Sequence, residues 1–138
     1  MDVYKLGLLH AKADRAFRGL FSECLRSSNI TMMEWLVLGV IINESSKNIS
    51  MSAIANELNV TLPQITALVN GLLRQKMLKQ RFSAKDRRTR LVIVTSKGNM
   101  VYSDALKLIM EDSSSWFGNL SEDDINAYIR TLQHFTND

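Results

Sequence analysis

Apolar positions along the chain fall into stretches of two different periods. Leu6, Leu9, Ala13, Phe17, Leu20, Cys24 and Leu25 recur every three to four residues, which predicts one long amphipathic helix over residues 3–27. The polar run RSSN ends it. Thr31 followed by Glu34 has the spacing of a capping box and opens a second helix through Trp35, Leu38 and Ile42, which stops at NESSKN. Ile49 forms a minimal strand, after which Ser50 or Ser52 caps a short helix whose Ile54, Ala55 and Leu58 face inward. After the turn NV, Thr61 and Gln64 repeat the capping-box spacing. Pro63 sits in the first turn, where its missing N–H costs nothing, and Ile65, Leu68, Val69, Leu72 and Leu73 form a buried stripe. The period then changes. MLKQRF and RLVIVT, the second dense in β-branched residues, read as two strands of a hairpin with SAKDRRT between them. Ser96 and Gly98 start a fifth helix that reaches about Phe117. Ser121 and Asp124 cap a last helix carrying Ile125, Tyr128, Ile129, Leu132 and Phe135, with Glu122, Asp123 and Asp124 at its positive N-terminal end.

This order predicts a mainly α protein with a small β-hairpin wing: a winged helix-turn-helix with helices added at both ends. At 138 residues the chain reads as a single domain, 1–138, with the winged core at about 30–95 and flanking helices at about 1–28 and 97–138. The flanking helices are amphipathic and need cover for their apolar faces. A symmetric dimer in which they cover each other is the economical arrangement.

Charge sharpens the picture through its distribution. The 17 Lys and Arg against 14 Asp and Glu leave a formal net charge of only +3. Residues 74–90, however, hold Arg74, Lys76, Lys79, Arg81, Lys85, Arg87, Arg88 and Arg90 against one acid, Asp86, while residues 111–138 are mainly acidic. A basic hairpin tip alone is usually a solvated surface; directly after a helix-turn-helix it points to nucleic acid. Cys24, the single cysteine, excludes an internal disulfide framework and fits a reducing cytosol. The first residues lack the unbroken apolar stretch of a signal peptide, and the longest apolar run, WLVLGVII, is far short of the ~20 residues that span a bilayer. The expectation is a soluble, cytoplasmic protein with no membrane partner. No Ser-His-Asp arrangement, phosphate loop or paired catalytic carboxylates are recognisable, and His10 and His134 stand alone without zinc-type spacing, so neither an enzyme, a metal site nor a cofactor is expected.

Two stretches carry a family resemblance. MSAIANELNVTLPQITALVNGLL, with its Ile-Ala pair, Leu and recognition-helix Thr, resembles the multiple-antibiotic-resistance regulator (MarR) family of bacterial and archaeal transcription factors. KDRRTRLVIVTSKG resembles that family's wing: Asp-Arg-Arg, an alternating strand, then Thr, two residues and Gly opening the next helix. Together with the helical arms the resemblance covers nearly the whole chain. It implies a homodimeric regulator, most commonly a repressor, on a pseudo-palindromic double-stranded DNA operator, with recognition helices in successive major grooves and each wing in an adjacent minor groove. The sequence departs from the family at Ala67, where many members have Arg, and at Lys76, where many have Gly.

The contact residues follow. The outward face of the recognition helix offers Leu62, Pro63, Gln64, Thr66, Ala67 and Asn70. Gln64 has the amide geometry to pair bidentately with adenine, and Leu62, Pro63 and the Thr66 methyl suit thymine methyls. Ser52 and Thr61, near helix starts, suit phosphates together with backbone N–H groups. Arg74, Arg81, Lys85 and Arg87 read as phosphate neighbours. Arg88 matches the family's minor-groove arginine, which a narrow A·T-rich groove attracts, and Asp86 is expected to orient an arginine. The resemblance also implies a small effector, often an aromatic acid or phenol, bound between the dimerisation helices and the winged domain and releasing the operator; His10, Arg18, Met32, Met33 and Trp35 are its candidate contacts. Two alternatives stay open: a redox-responsive regulator acting through Cys24, and a winged-helix module that binds protein.

Overall fold

A computed structural model of the chain describes residues 1–46 and 48–136. Among them, helix α1 (Val3–Leu25) runs into a short 3-10 turn (Arg26–Ser28) and is followed by α2 (Met32–Asn43), strand β1 (Ile49–Ser50), α3 (Met51–Glu57), α4 (Leu62–Arg74), β2 (Leu78–Phe82), β3 (Arg90–Val94), α5 (Ser96–Phe117) and α6 (Glu122–Thr136). The strands form one antiparallel sheet in the order β1-β3-β2. This is the expected winged helix-turn-helix, α2 to β3, with long helices on either side.

Local chemistry sets the boundaries. Both predicted capping boxes form: the Thr31 hydroxyl accepts from the Glu34 amide while the Glu34 carboxylate accepts from the Thr31 amide, and Thr61 and Gln64 do the same for α4. Ser50, not Ser52, caps α3, accepting from the Ala53 amide at 3.2 Å. At α6 the Ser121 hydroxyl and amide both bond the Asp124 carboxylate and hold its pKa below the usual range.

The two turns that bracket α4 share one C-terminal device. After α3, Val60 N–H reaches back to the Ala55 carbonyl and Asn59 N–H to that of Asn56, with Asn59 left-handed at φ 50°. After α4, Met77 N–H reaches the Leu72 carbonyl and Lys76 N–H that of Leu73, with Lys76 left-handed at φ 60°. Asn tolerates that conformation; Lys pays for its Cβ there. The departure at Lys76 therefore leaves the turn geometry intact and carries strain, while the following Met77 is buried and anchors it. Replacing Lys76 with Gly is expected to raise stability by up to about 1 kcal/mol in chemical denaturation, partly offset by the greater freedom of unfolded glycine. A loss of stability would show that the left-handed residue is not strained.

Leu25, Val37, Leu38, Ile41, Ile54, Ile65, Leu72 and Val92, each 1% exposed or less, form the centre of the core, each contributing roughly 2 kcal/mol by leaving water. It lies where α2, α3, α4 and the sheet meet α1 and α5. The C-terminal part of α4 is stitched to the start of α5. The Thr95 hydroxyl donates to the Lys76 carbonyl at 2.8 Å, Thr95 N–H to Met77 at 3.0 Å, and the Lys97 ammonium to the Gln75 carbonyl at 2.8 Å. Gly98 packs against the same carbonyl edge.

The ends of the molecule are different. No described residue of α6 is buried, and Leu6, Leu9, Trp116, Leu120, Tyr128, Ile129 and Phe135 are all exposed. Phe17 meets the Trp116 ring edge-on at 5.3 Å, at the mouth of an apolar hollow of about 330 Å³ between α1, α5 and α6. No single helix among the described residues is long and apolar enough to cross a membrane.

Candidate nucleic-acid interface

Recognition helix and wing meet in a cleft. A hollow of about 300 Å³ is lined by Ser50, Met51 and Ser52 from β1 and α3, Leu62 and Thr66 from α4, and Arg88, Thr89 and Arg90 from the wing. Four residues that sequence alone placed at DNA, Ser52, Leu62, Thr66 and Arg88, thus share one concave surface. None of the lining residues is acidic.

The wing tip is an ordered turn built on Asp86. Its carboxylate accepts from the Arg88 main-chain amide at 2.9 Å and from the Thr89 hydroxyl at 3.2 Å, while its carbonyl accepts from Thr89 N–H at 2.9 Å. Ser83 closes the neck, donating its amide to the Thr89 carbonyl at 2.8 Å and accepting from Lys85 N–H on its hydroxyl at 3.2 Å. Asp86 thus holds Arg88 through its main-chain amide. Lys85, Arg87 and Arg88 are left exposed on a fixed loop.

On α4, Leu62, Pro63, Gln64 and Ala67 are exposed, and Thr66 and Asn70 half-buried. Two side chains are already engaged. The Gln64 Oε1 accepts from both the amide and the hydroxyl of Thr61, each at 2.9 Å. Its two lone pairs are thereby occupied, so a bidentate adenine contact requires the capping box to open; with the box closed Gln64 presents only its NH₂ donors. The same box engages Thr61. The Thr66 hydroxyl donates to the Leu62 carbonyl at 2.9 Å, which uses its one donor and leaves its methyl and the acceptor lone pairs of its oxygen for a base.

Other expected residues are not brought together. Arg74 is exposed at the last turn of α4 and is not a cleft residue. Arg81 faces Leu91 across the ladder, on the sheet surface opposite to that of Gln80, Phe82 and Arg90, and so points away from the cleft. Arg90 and Thr89, in turn, line the cleft although the sequence pattern gave them no separate role. The signal was present: Val92 is fully buried, and alternation puts Arg90 on the same face.

The effector candidates divide. Arg18, Met32 and Met33 line one cavity of about 340 Å³ with Ser22, Ile30 and Thr31, where α1 meets the start of α2. The Arg18 Nε is bonded to Asp14 at 2.8 Å, and this bond holds the Asp14 carboxyl below the usual range. Trp35 sits apart from them. It is buried, stacks on Tyr102 with ring centres 4.9 Å apart, meets Phe21 at 5.3 Å, and donates its indole N–H to the Tyr102 carbonyl at 3.3 Å. It borders a different hollow, of about 470 Å³, between α2, α3 and α5. His10 is exposed on α1 and lines neither cavity. Burial, and the hydrogen bond from its thiol to the Asp112 carboxylate at 3.5 Å, push the Cys24 pKa up, the reverse of what a reactive thiol needs.

A three-helix core with a hairpin wing and a basic cleft between them defines a winged helix-turn-helix. Residues 28–89, from the end of the 3-10 turn to the wing tip, match the model of the MarR family. The whole chain carries the fold of that family. A MarR-family transcriptional regulator from Rhodococcus sp. RHA1 superposes with a TM-score of 0.84 at 18% identity, over 98% of this chain and 94% of that one. CouR from Rhodococcus jostii RHA1, bound to p-coumaroyl-CoA, gives 0.85 at 19% identity, over 94% and 90%. A mutant MarR from E. coli complexed with operator DNA gives 0.83 at 21% identity, over 97% and 95%. No curated protein matches the chain in sequence.

Proposed function

We propose that the protein is a sequence-specific double-stranded DNA-binding transcriptional regulator acting as a homodimer. The observation that carries this reading is the acid-free cleft in which the recognition helix meets the wing, beside a tip holding Lys85, Arg87 and Arg88 exposed on an Asp86-centred turn. Leu62, Pro63, Gln64, Thr66, Ala67 and Asn70 face the major groove, and Arg88 enters the minor groove, where narrow A·T-rich sequence concentrates negative potential. Lys85 and Arg87 neutralise phosphates. The MarR mutant bound to operator DNA has the same fold and supports this arrangement.

Repression on a pseudo-palindromic operator, relieved by a small aromatic effector, is the mode we favour. CouR, a protein of the same fold, is bound to p-coumaroyl-CoA. Here the cavity beside Arg18, Met32 and Met33 is large enough for the aromatic part of such a ligand, and the Arg18 guanidinium keeps N–H groups beyond its Asp14 bond for an anionic one.

The test is a fluorescence-anisotropy titration of a duplex enriched from random sequence on the parent protein, repeated across NaCl concentrations. Binding should weaken steeply with salt, and Arg88→Ala should lose about tenfold or more in affinity, equivalent to about 1–3 kcal/mol, with the largest loss on A·T-rich flanks. Parent protein that enriches no sequence, or binds without salt dependence, would remove the reading in favour of a protein-binding winged helix. Adding small aromatic acids to the same titration examines the effector: release of the duplex supports it, and undiminished binding across the series removes it.

A further inference from the structure

Arg90 is held in a way the other wing cations are not. Its Nη2 donates to the Gln80 Oε1 at 2.6 Å. In the antiparallel register Gln80 stands opposite Val92 and Phe82 opposite Arg90, so Gln80, Phe82 and Arg90 share the sheet face that continues from the buried Val92 toward the cleft. A guanidinium carries five N–H donors in one plane; tying one of them down fixes the plane and leaves the others for an incoming acceptor. The partner chemistry matters. A carboxylate in place of Gln80 would fix the arginine equally well but cancel its charge, whereas an amide carbonyl orients the cation and leaves it positive.

What the fixed cation meets follows from its place. Arg90 shares the cleft with Leu62 and Thr66 of α4 on one side and Arg88 of the wing on the other, among the Ser52 and Thr89 hydroxyls. A duplex read in one groove by α4 and entered in the next groove by the wing tip must pass the sugar–phosphate strand that separates those grooves between the two elements. Base edges are not presented on that ridge; phosphate oxygens are.

We propose that Gln80 and Arg90 form a phosphate clamp, in which Gln80 is the positioning residue and Arg90 holds a backbone phosphate of the DNA strand lying between the two grooves. The inference rests on the DNA-binding reading above and adds a contact that is blind to sequence. It predicts a division of labour along one strand of the wing: Arg88 responds to groove width, Arg90 to charge alone.

Anisotropy titrations on labelled duplexes of about two helical turns and arbitrary sequence, over a range of NaCl, test it. Arg90→Ala should weaken binding about tenfold on every duplex alike and reduce the slope of log K against log salt by about 0.9 for each protomer bound. Gln80→Ala should cost several-fold in affinity while the slope is kept, and Gln80→Glu should reproduce the reduced slope of Arg90→Ala. Both residues are exposed, and unchanged thermal melts of the variants would verify that folding is intact. Parent protein that binds with steep salt dependence while Arg90→Ala keeps both affinity and slope overturns the clamp alone. Parent protein that shows no salt-dependent binding overturns the DNA reading and the clamp with it.

Discussion

Gly98→Ala is expected to destabilise the protein by about 3 kcal/mol, lowering the thermal midpoint by on the order of 10 °C. A Cβ at this position would stand 2.3 Å from the Met77 carbonyl oxygen and 2.8 Å from Val94 Cγ1. The first of these is backbone, itself accepting hydrogen bonds from Thr95, so no side-chain rotation relieves the overlap. Either α5 backs away from the hairpin or the bonds at its start break. Gly19 makes a matched control, because a Cβ there meets nothing within 4 Å along the middle of α1. Gly19→Ala should be neutral or stabilising by up to about 1 kcal/mol, since alanine is the better helix former. Differential scanning calorimetry of the two variants decides the matter: equal midpoints would mean that the packing of α5 against the start of the wing is looser than described.

If the chain acts as the proposed homodimer, Ile129→Asp should convert it to monomer and lower operator affinity by roughly 100-fold or more, because two linked half-site contacts would become one. Ile129 lies on the α6 stripe with Ile125, Tyr128, Leu132 and Phe135, and not one of these is buried within the single chain. An apolar stripe of this extent lies next to exposed Trp116 and Leu120, and in the proposed homodimer an identical stripe on a second copy would cover it. Sedimentation velocity gives the answer directly. A monomeric parent, or a variant that remains dimeric with full affinity, would refute the assignment of these helices to the interface.

Much of the fold was legible because its boundaries are made by local chemistry. Thr31 with Glu34 and Thr61 with Gln64 are capping boxes whether or not the rest of the chain is known, and Pro63 is tolerated only near a helix start. The wing strands were legible from their β-branched residues, and α5 from Thr95, Ser96 and Gly98. What was less legible depends on which atoms meet across elements. Gln64 has the right amide for adenine, but the same amide closes its own cap. Trp35 borders a hollow, but one whose wall is shared by Tyr102, 67 positions later, which stacks on it. Arg81 and Arg90 are equivalent in composition; the register of the hairpin alone turns one toward the cleft and the other away. Lys76 shows the converse case, in which the local rule calls for glycine and the surrounding packing holds a lysine in the same left-handed turn.

The stitching between the end of α4 and the start of α5 has a mechanical consequence. Three carbonyls in a row, those of Gln75, Lys76 and Met77, are gripped by Thr95 and Lys97, so the end of α4 and the start of the long arm that follows it are tied together. That arm is 22 residues, or about 33 Å, from end to end. A tilt of about 10° at its far end, where the apolar hollow between α1, α5 and α6 lies, would sweep the near end through roughly 6 Å, a sizeable fraction of the ~34 Å repeat that the two half-sites of the proposed operator would have to match.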